Sequence, residues 1–304
     1  MNKGFQVGWW LIAITVVIMY AGVMLVGEQN TYLASAIGEL FILIPIVIGI
    51  IYAKKHKSTV NQTLALKKFS PKLLAGACFL IIGAQYFITY TTLYLQSILM
   101  ILFGIETATS QLVIPDSIPD MLVMVISICF VAPVVEEFLC RGVLIKLFER
   151  YGFAASLISS SFAFAFLHFD GRSFIQIFFL GLLLGVFRLC TGSVWITVIM
   201  HALNNGLGVL QLILLNSGKY DAFLNVMTVC LLLLGVLFPF IMYMMFTRGV
   251  KYFPPVNISF EKKRTGFSLA ALIMGILFVA VNVVVVLLRF ANGDIFADFN
   301  MLIG

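Results

Sequence analysis

Three short motifs with ionisable or amide side chains lie inside long apolar stretches of the sequence, where charge is costly. They are Glu136 and Glu137 with Arg141, then Phe164 with His168, and then His201 with Asn205. A central Asp, Lys or Arg costs about 2.5 to 3.5 kcal/mol on membrane-insertion scales, so these groups need a functional or structural reason. Carboxylates, imidazoles and an amide are the side chains that bind water and stabilise an oxyanion.

Helical spacing determines which of these side chains can meet. Residues four apart lie on one face of a helix, so Glu137 can pair with Arg141, and His201 shares a face with Asn205. At about 3.6 residues per turn, Glu136 points about 100° away from Glu137 and lacks that partner. Glu136 is therefore the freer carboxylate.

The chemistry that these groups could perform is amide hydrolysis. A carboxylate that faces an imidazole can bind a water molecule and take a proton from it. A second imidazole and an amide, one helical turn apart, can donate hydrogen bonds to the oxyanion of a tetrahedral intermediate. The sequence contains neither a GxSxG nor an HExxH motif, so neither a hydrolase nucleophile elbow nor a zincin site is indicated.

The elements that must position these residues are membrane helices. Hydrophobic residues make up 62% of the 304 residues, charged residues make up only 11%, and the mean hydropathy is +1.10. Soluble domains carry about 25% charged residues, so most of this chain must face lipid. With about 20 apolar residues per crossing, the candidate spans are 7–26, 34–53, 73–103, 119–147, 152–168, 173–190, 193–215, 222–247 and 267–289. The sequence thus predicts an all-α, polytopic transmembrane helix bundle of about eight or nine spans.

No long polar segment interrupts this succession of spans. We therefore predict one membrane domain over residues 1–304, with catalytic core spans in 119–215 and C-terminal spans in 216–304. Gly181 and Gly185 form a GxxxG pattern within one span, which predicts close packing against a neighbouring helix.

The polar groups also lie at similar depths in different spans. At a rise of about 1.5 Å per residue, all lie about 14 to 25 Å from the same side of the bundle. The residues compared are Glu136, His168, His201 and Asn205. Their similar depths predict that they meet in one site.

Lys and Arg residues cluster in loops on one side of the predicted bundle. The loop after 34–53 carries six lysines, and the loops after 119–147 and 222–247 carry further basic residues. Basic loops stay in the cytoplasm, so the N-terminus is predicted to be cytoplasmic. The net charge of +6 follows from these loops, and no nucleic-acid partner is expected. The five cysteines lie in apolar runs without a CxxC pair and indicate neither a disulfide framework nor a metal site.

The three polar groups, in their order along the chain, carry a family resemblance. They read EExxxR at 136–141, FxxxH at 164–168 and HxxxN at 201–205. This set resembles the CAAX-protease and bacteriocin-processing family, which includes the Ras-converting CAAX prenyl endopeptidases and the bacterial Abi proteins. The resemblance implies glutamate-dependent, metal-independent proteolysis that needs no cofactor.

The resemblance also implies roles for individual residues. Those that would act directly are Glu136 and His168, which activate a water, and His201 and Asn205, which form the oxyanion hole. Glu137 and Arg141 would support the site. The implied substrate is a membrane-associated peptide or protein, such as a bacteriocin or pheromone precursor, and the implied location is a bacterial plasma membrane.

Three other functions remain open on the sequence alone. Bacterial members of the family are linked to non-enzymatic roles, as regulators of a sensor kinase or as bacteriocin self-immunity proteins. Intramembrane Glu and His residues also suit proton-coupled transport, although the sequence has no inverted repeat. Finally, Glu136, His168 and His201 have the ligand types of an open zinc site, which would make the protein a metallopeptidase.

Overall fold

The computed structural model of the protein describes residues 3–26, 31–71, 73–85, 88, 114–168 and 173–216. Its helices within these ranges are α1 (Lys3–Val26), α2 (Thr31–Phe41), α3 (Leu43–Lys55), α4 (Val60–Leu64), α5 (Leu73–Gln85), α6 (Ile118–Phe148), α7 (Phe153–Leu167), α8 (Phe174–Thr191) and α9 (Val194–Asn216). A 3-10 turn at Glu149–Tyr151 follows α6, and an isolated bridge joins Leu66 to Ser193. The predicted all-α fold is confirmed for these residues.

Among the described residues, four helical stretches are long and apolar enough to cross a membrane. They are Ala36–Lys55, which runs from α2 into α3, Ile118–Phe148, Phe174–Thr191 and Val194–Leu214. Shorter apolar helices lie at Gln6–Met19, Leu73–Gln85 and Phe153–Leu167. Several apolar helices of this kind fit the predicted multi-pass membrane protein, while the count of eight or nine spans stays a prediction.

Some of the predicted spans fall where the structure gives no description. The spans 222–247 and 267–289, and the part of 73–103 beyond residue 88, lie outside the described residues. The described residues all belong to one compact unit, Met1–Leu232. The single membrane domain and its division into core and C-terminal spans stay predictions.

Helix α6 lies at the centre of the described helices. It packs against α1, α2, α3, α4, α7, α8 and α9. Two π-helical segments, Ser127–Val131 and Phe138–Leu144, interrupt its α-helical course. Such π segments often occur at functional sites, and Glu136 and Glu137 lie in the short α-helical stretch between these two.

A proline explains why the first π segment leaves a free carbonyl. The Ala132 N–H donates to the Ser127 carbonyl, five residues back. The next bond of this pattern would join residue 133 to the Ile128 carbonyl, but Pro133 has no N–H to donate. The Ile128 carbonyl therefore needs a partner from another helix.

Two glycines allow α8 to lie close against α7. A Cβ built on Gly181 would come within 3.1 Å of the Ser161 Cα, and one on Gly185 within 2.6 Å of the Leu157 Cδ1. A methyl group at Gly181 would meet the α7 backbone and require a shift of a few tenths of an ångström, whereas one at Gly185 would meet the end of a flexible leucine side chain. The close packing predicted from the GxxxG pattern is confirmed.

Candidate active site

Glu136 and His168 face each other between α6 and α7. The Glu136 Oε2 atom lies 3.9 Å from the His168 Nε2 atom. Glu136 is only 4% exposed, and its Oε2 has no hydrogen-bond partner among the described residues. The His168 side chain is 31% exposed. The pair therefore combines a buried carboxylate with an imidazole that connects it to the surface of the described helices.

The orientation of His168 is fixed by the helix that it ends. His168 follows the last residue of α7, and its Nδ1 lies 2.8 Å from the Phe164 carbonyl oxygen. A carbonyl only accepts hydrogen bonds, so Nδ1 carries the proton. In the neutral ring, Nε2 is then the acceptor, and this is the atom that faces Glu136.

Glu137 forms the predicted ion pair with Arg141, and both side chains are fully buried. The Arg141 Nη1 donates to Glu137 Oε1 at 2.8 Å, and Nη2 donates to the Gly181 carbonyl at 3.0 Å. The guanidinium carbon also lies 4.2 Å from the centre of the Phe164 ring. A buried pair needs such additional contacts, because both ions have lost their water. Gly181 thus supplies a carbonyl to the site in addition to allowing close packing.

His201 completes this buried group from α9. Its Nδ1 donates to the Glu137 Oε1 at 3.2 Å, and the residue is 2% exposed. With Nδ1 engaged in this way, Nε2 can donate a hydrogen bond when the ring carries both protons. His201 also lies close enough to Glu136 for the two side chains to interact electrostatically.

Asn205, one turn further along α9, binds the carbonyl that Pro133 leaves free. Its Nδ2 donates to the Ile128 carbonyl at 2.9 Å. This bond fixes which end of the amide is the nitrogen, since the carbonyl cannot donate. The amide has two N–H hydrogens, and the second has no partner among the described residues. Asn205 is therefore held as a donor at the first π segment.

Phe164 is the common neighbour of the two histidines and Arg141. Its ring centre lies 5.0 Å from that of His168 and 5.3 Å from that of His201, and both contacts are edge-to-face. Its own side chain is completely buried. The FxxxH motif thus places an aromatic ring between the partly exposed imidazole and the Glu137–Arg141 pair.

Sequence reasoning overlooked one acidic residue of this region, Glu39. It lies on α2, which packs against the part of α6 that carries Glu136. The Glu39 carboxylate interacts electrostatically with Glu136, and its Oε2 is buried without a hydrogen-bond partner among the described residues. The signal was available, because Glu39 is the only Asp, Glu, Lys, Arg or His between residues 31 and 53.

The structure brings most of the sequence-predicted site residues into contact. Glu136 faces His168, while Glu137 binds both Arg141 and His201. Asn205 instead contacts the backbone of α6. Within the described ranges, no three His, Cys, Asp or Glu side chains are grouped to hold a metal ion, so the zinc set considered above is not gathered into one ligand sphere. The catalytic roles of these residues stay predictions.

The helices and their buried polar site define the class of protein, an integral membrane protein with ionisable groups between its helices. Residues 118–207 match a family model described as Type II CAAX prenyl endopeptidase Rce1-like. The chain thus carries an Rce1-like CAAX prenyl endopeptidase domain over these residues, and the family is one of peptidases. All six sequence-predicted site residues lie within the matched segment, whereas Glu39 lies outside it. No curated protein and no solved structure matches the chain significantly.

Proposed function

We propose that the protein is an intramembrane, glutamate-dependent endopeptidase that hydrolyses a peptide bond in a membrane-associated peptide or protein. The observation that supports this best is the pair formed by Glu136 and His168. A buried carboxylate oxygen without a hydrogen-bond partner among the described residues lies 3.9 Å from an imidazole nitrogen that can accept a proton.

We place one water molecule between these two atoms. The distance of 3.9 Å is longer than a hydrogen bond, but a water oxygen about 2.8 Å from each atom contacts both. Buried waters typically bind polar groups that would otherwise be unsatisfied, as Glu136 Oε2 is. The partly exposed His168 side chain gives this water a way in.

The proton path follows from the orientation of the two side chains. The neutral His168 accepts a hydrogen bond from the water at Nε2, because its Nδ1–H is donated to Phe164. Glu136 takes the other proton of the water as the oxygen attacks the carbonyl carbon of the substrate. When the carbon–nitrogen bond breaks, Glu136 returns this proton to the departing amine.

Two donors from α9 stabilise the oxyanion that forms after the water attacks and before the carbon–nitrogen bond breaks. Asn205 offers its second Nδ2 hydrogen while the first stays on the Ile128 carbonyl. His201 offers its Nε2–H when the ring is doubly protonated, while Glu137 holds the Nδ1–H. Removing one oxyanion donor typically lowers kcat by about 10²- to 10³-fold.

The setting of the site completes the proposal. We place eight or nine spans in a bacterial plasma membrane, with the N-terminus in the cytoplasm, because the lysine-rich loop after α3 favours that side. The substrate class is a precursor peptide or protein held at the membrane, and a further partner is another membrane protein such as a sensor kinase.

Cleavage by the purified protein tests the proposal. The full chain in proteoliposomes is incubated with a mixture of lipid-anchored and transmembrane synthetic peptides, and new peptide ends are identified by mass spectrometry. We expect cleavage by the wild type and none by the isosteric Glu136→Gln variant. Asp116→Asn, which changes an exposed carboxylate ahead of α6, serves as the control and should cleave like the wild type. Equal products from the wild type and Glu136→Gln would refute the proposal.

A further inference from the structure

A basic cavity lies at the lysine-rich end of the described helices. It has a volume of about 600 Å³ and opens between the loop after α3 and the ends of α6 and α8. Four cationic side chains and one carboxylate line it, namely Lys57, Lys67, Lys146, Arg188 and Glu149. Since cations predominate in its lining, the cavity is suited to an anion.

The cavity lies at the level where several apolar helices end. The stretch Ala36–Lys55 and helices α6 and α8 end beside it, and α9 begins there. Membrane-crossing helices end near the boundary between hydrocarbon and water, so we place the cavity at that boundary. Glu136 precedes the end of α6 at Phe148 by a distance of about 18 Å at 1.5 Å per residue. The cavity is therefore separate from the candidate active site.

Arg188 is the most buried of the four cationic side chains that line this cavity. It is only 8% exposed, and its Nε has no hydrogen-bond partner among the described residues. The nearby carboxylate of Glu149 attracts it but is already paired with Lys146. A guanidinium presents paired N–H donors that match the oxygens of a phosphate.

The wall of the cavity that carries the lysines is held by specific hydrogen bonds. The Ser193 hydroxyl donates to the Lys67 carbonyl at 2.7 Å, and the Val194 N–H donates to the Ala65 carbonyl at 3.1 Å. Gly192, with φ of +72°, provides the left-handed turn between α8 and α9 that makes these bonds possible. The lysine-rich loop is thus fixed to the beginning of α9.

We propose that this cavity binds the phosphate group of an anionic phospholipid. Phospholipid phosphates lie at the depth of the cavity, and basic pockets at the ends of membrane helices attract anionic headgroups. A volume of about 600 Å³ also exceeds what a bare phosphate ion fills and suits a glycerol-phosphate headgroup. This inference does not depend on the proposed peptidase activity.

Lipid binding to the purified full chain tests the proposal. The delipidated protein in detergent receives phosphatidylglycerol or phosphatidylcholine with the same acyl chains, and bound lipid is counted by native mass spectrometry. Phosphatidylglycerol should bind at least about tenfold more tightly and raise the Tm. Arg188→Gln should weaken this binding about tenfold or more, and Lys67→Gln about fivefold.

The control variant is Lys55→Gln, which removes an exposed lysine at the end of α3 that does not line the cavity. We expect it to change the affinity by less than about twofold. If Arg188→Gln fails to fold, the exposed Lys57→Gln and Lys67→Gln variants decide the question.

Three results would overturn the proposal. One is equal binding of the two lipids. Another is a loss of phosphatidylglycerol affinity in Lys55→Gln as large as that in Lys67→Gln, which would mean diffuse attraction to the surface. The third is stabilisation by soluble glycerol phosphate alone that equals the effect of the lipid, which would assign the cavity to a water-soluble phosphate ester.

Discussion

Replacing Arg141 with methionine would remove the guanidinium that binds the buried Glu137 carboxylate and leave it the His201 Nδ1–H. Both side chains have zero relative exposure, and Arg141 also binds the Gly181 carbonyl and packs on the Phe164 ring. Removing one partner of a buried ion pair costs about 3 to 5 kcal/mol. We expect Arg141→Met and Glu137→Leu each to reduce the free energy of unfolding by about this amount.

The double variant Glu137→Leu/Arg141→Met should behave differently. Replacing a whole buried ion pair by apolar side chains is often neutral, or stabilising by about 1 to 4 kcal/mol. Its stability should therefore return close to that of the wild type. Because His201 then lacks the carboxylate that holds its Nδ1–H, peptide cleavage should stay about 100-fold below the wild-type rate.

The two properties are measured on the same four proteins. Denaturant unfolding in detergent, followed by circular dichroism, gives the free energies, and cleavage of one membrane peptide gives the rates. A double variant less stable than either single variant would contradict this expectation. So would a double variant that cleaves at the wild-type rate.

Three further predictions concern packing and the oxyanion donors. Gly181→Ala places a methyl group against Ser161 and should destabilise the fold by about 1 to 3 kcal/mol, whereas Gly76→Ala, which meets nothing within 4 Å, should not lower the Tm. Asn205→Ala should lower kcat by about 10²- to 10³-fold, with the Tm measured alongside to exclude unfolding. Phe164→Leu keeps the backbone carbonyl but loses the ring contacts with both imidazoles, and steady-state kinetics should show kcat about tenfold lower.

Hydropathy and local spacing are sufficient to predict the helices and the contacts within one helix. The Glu137–Arg141 pair requires only the i, i+4 spacing, and the structure shows it at 2.8 Å. Counting residues from the ends of the spans also predicts that Glu136 and His168 lie at similar depths, and they face each other at 3.9 Å. Such predictions succeed because the helical rise is nearly constant.

Contacts between distant segments could not be predicted in this way. His201 binds Glu137 across 64 positions of the chain, and neither motif indicates which of the two adjacent carboxylates it faces. Asn205 binds the Ile128 carbonyl, whose partner in the π-helical pattern would be residue 133, where Pro133 has no N–H. The spacing of HxxxN contains no information about that carbonyl.

Two other features need the packed structure for different reasons. Glu39 has the sequence signal of a buried charge, but its proximity to Glu136 depends on the packing of α2 against α6. The basic cavity requires the lysine-rich loop to fold back, so that Leu66 pairs with Ser193. A lysine-rich loop by itself predicts the cytoplasmic side and nothing more.

Whether Glu136 and His168 act on one water is tested most directly by the kcat of Glu136→Gln, His168→Gln and the double variant on a single peptide substrate. If both side chains hold the same water, each single variant should lose about 10³-fold in kcat, and the double variant should be no slower than the slower single one. If the two losses multiply, or if either single variant keeps kcat within about threefold of the wild type, the two residues do not act as a unit.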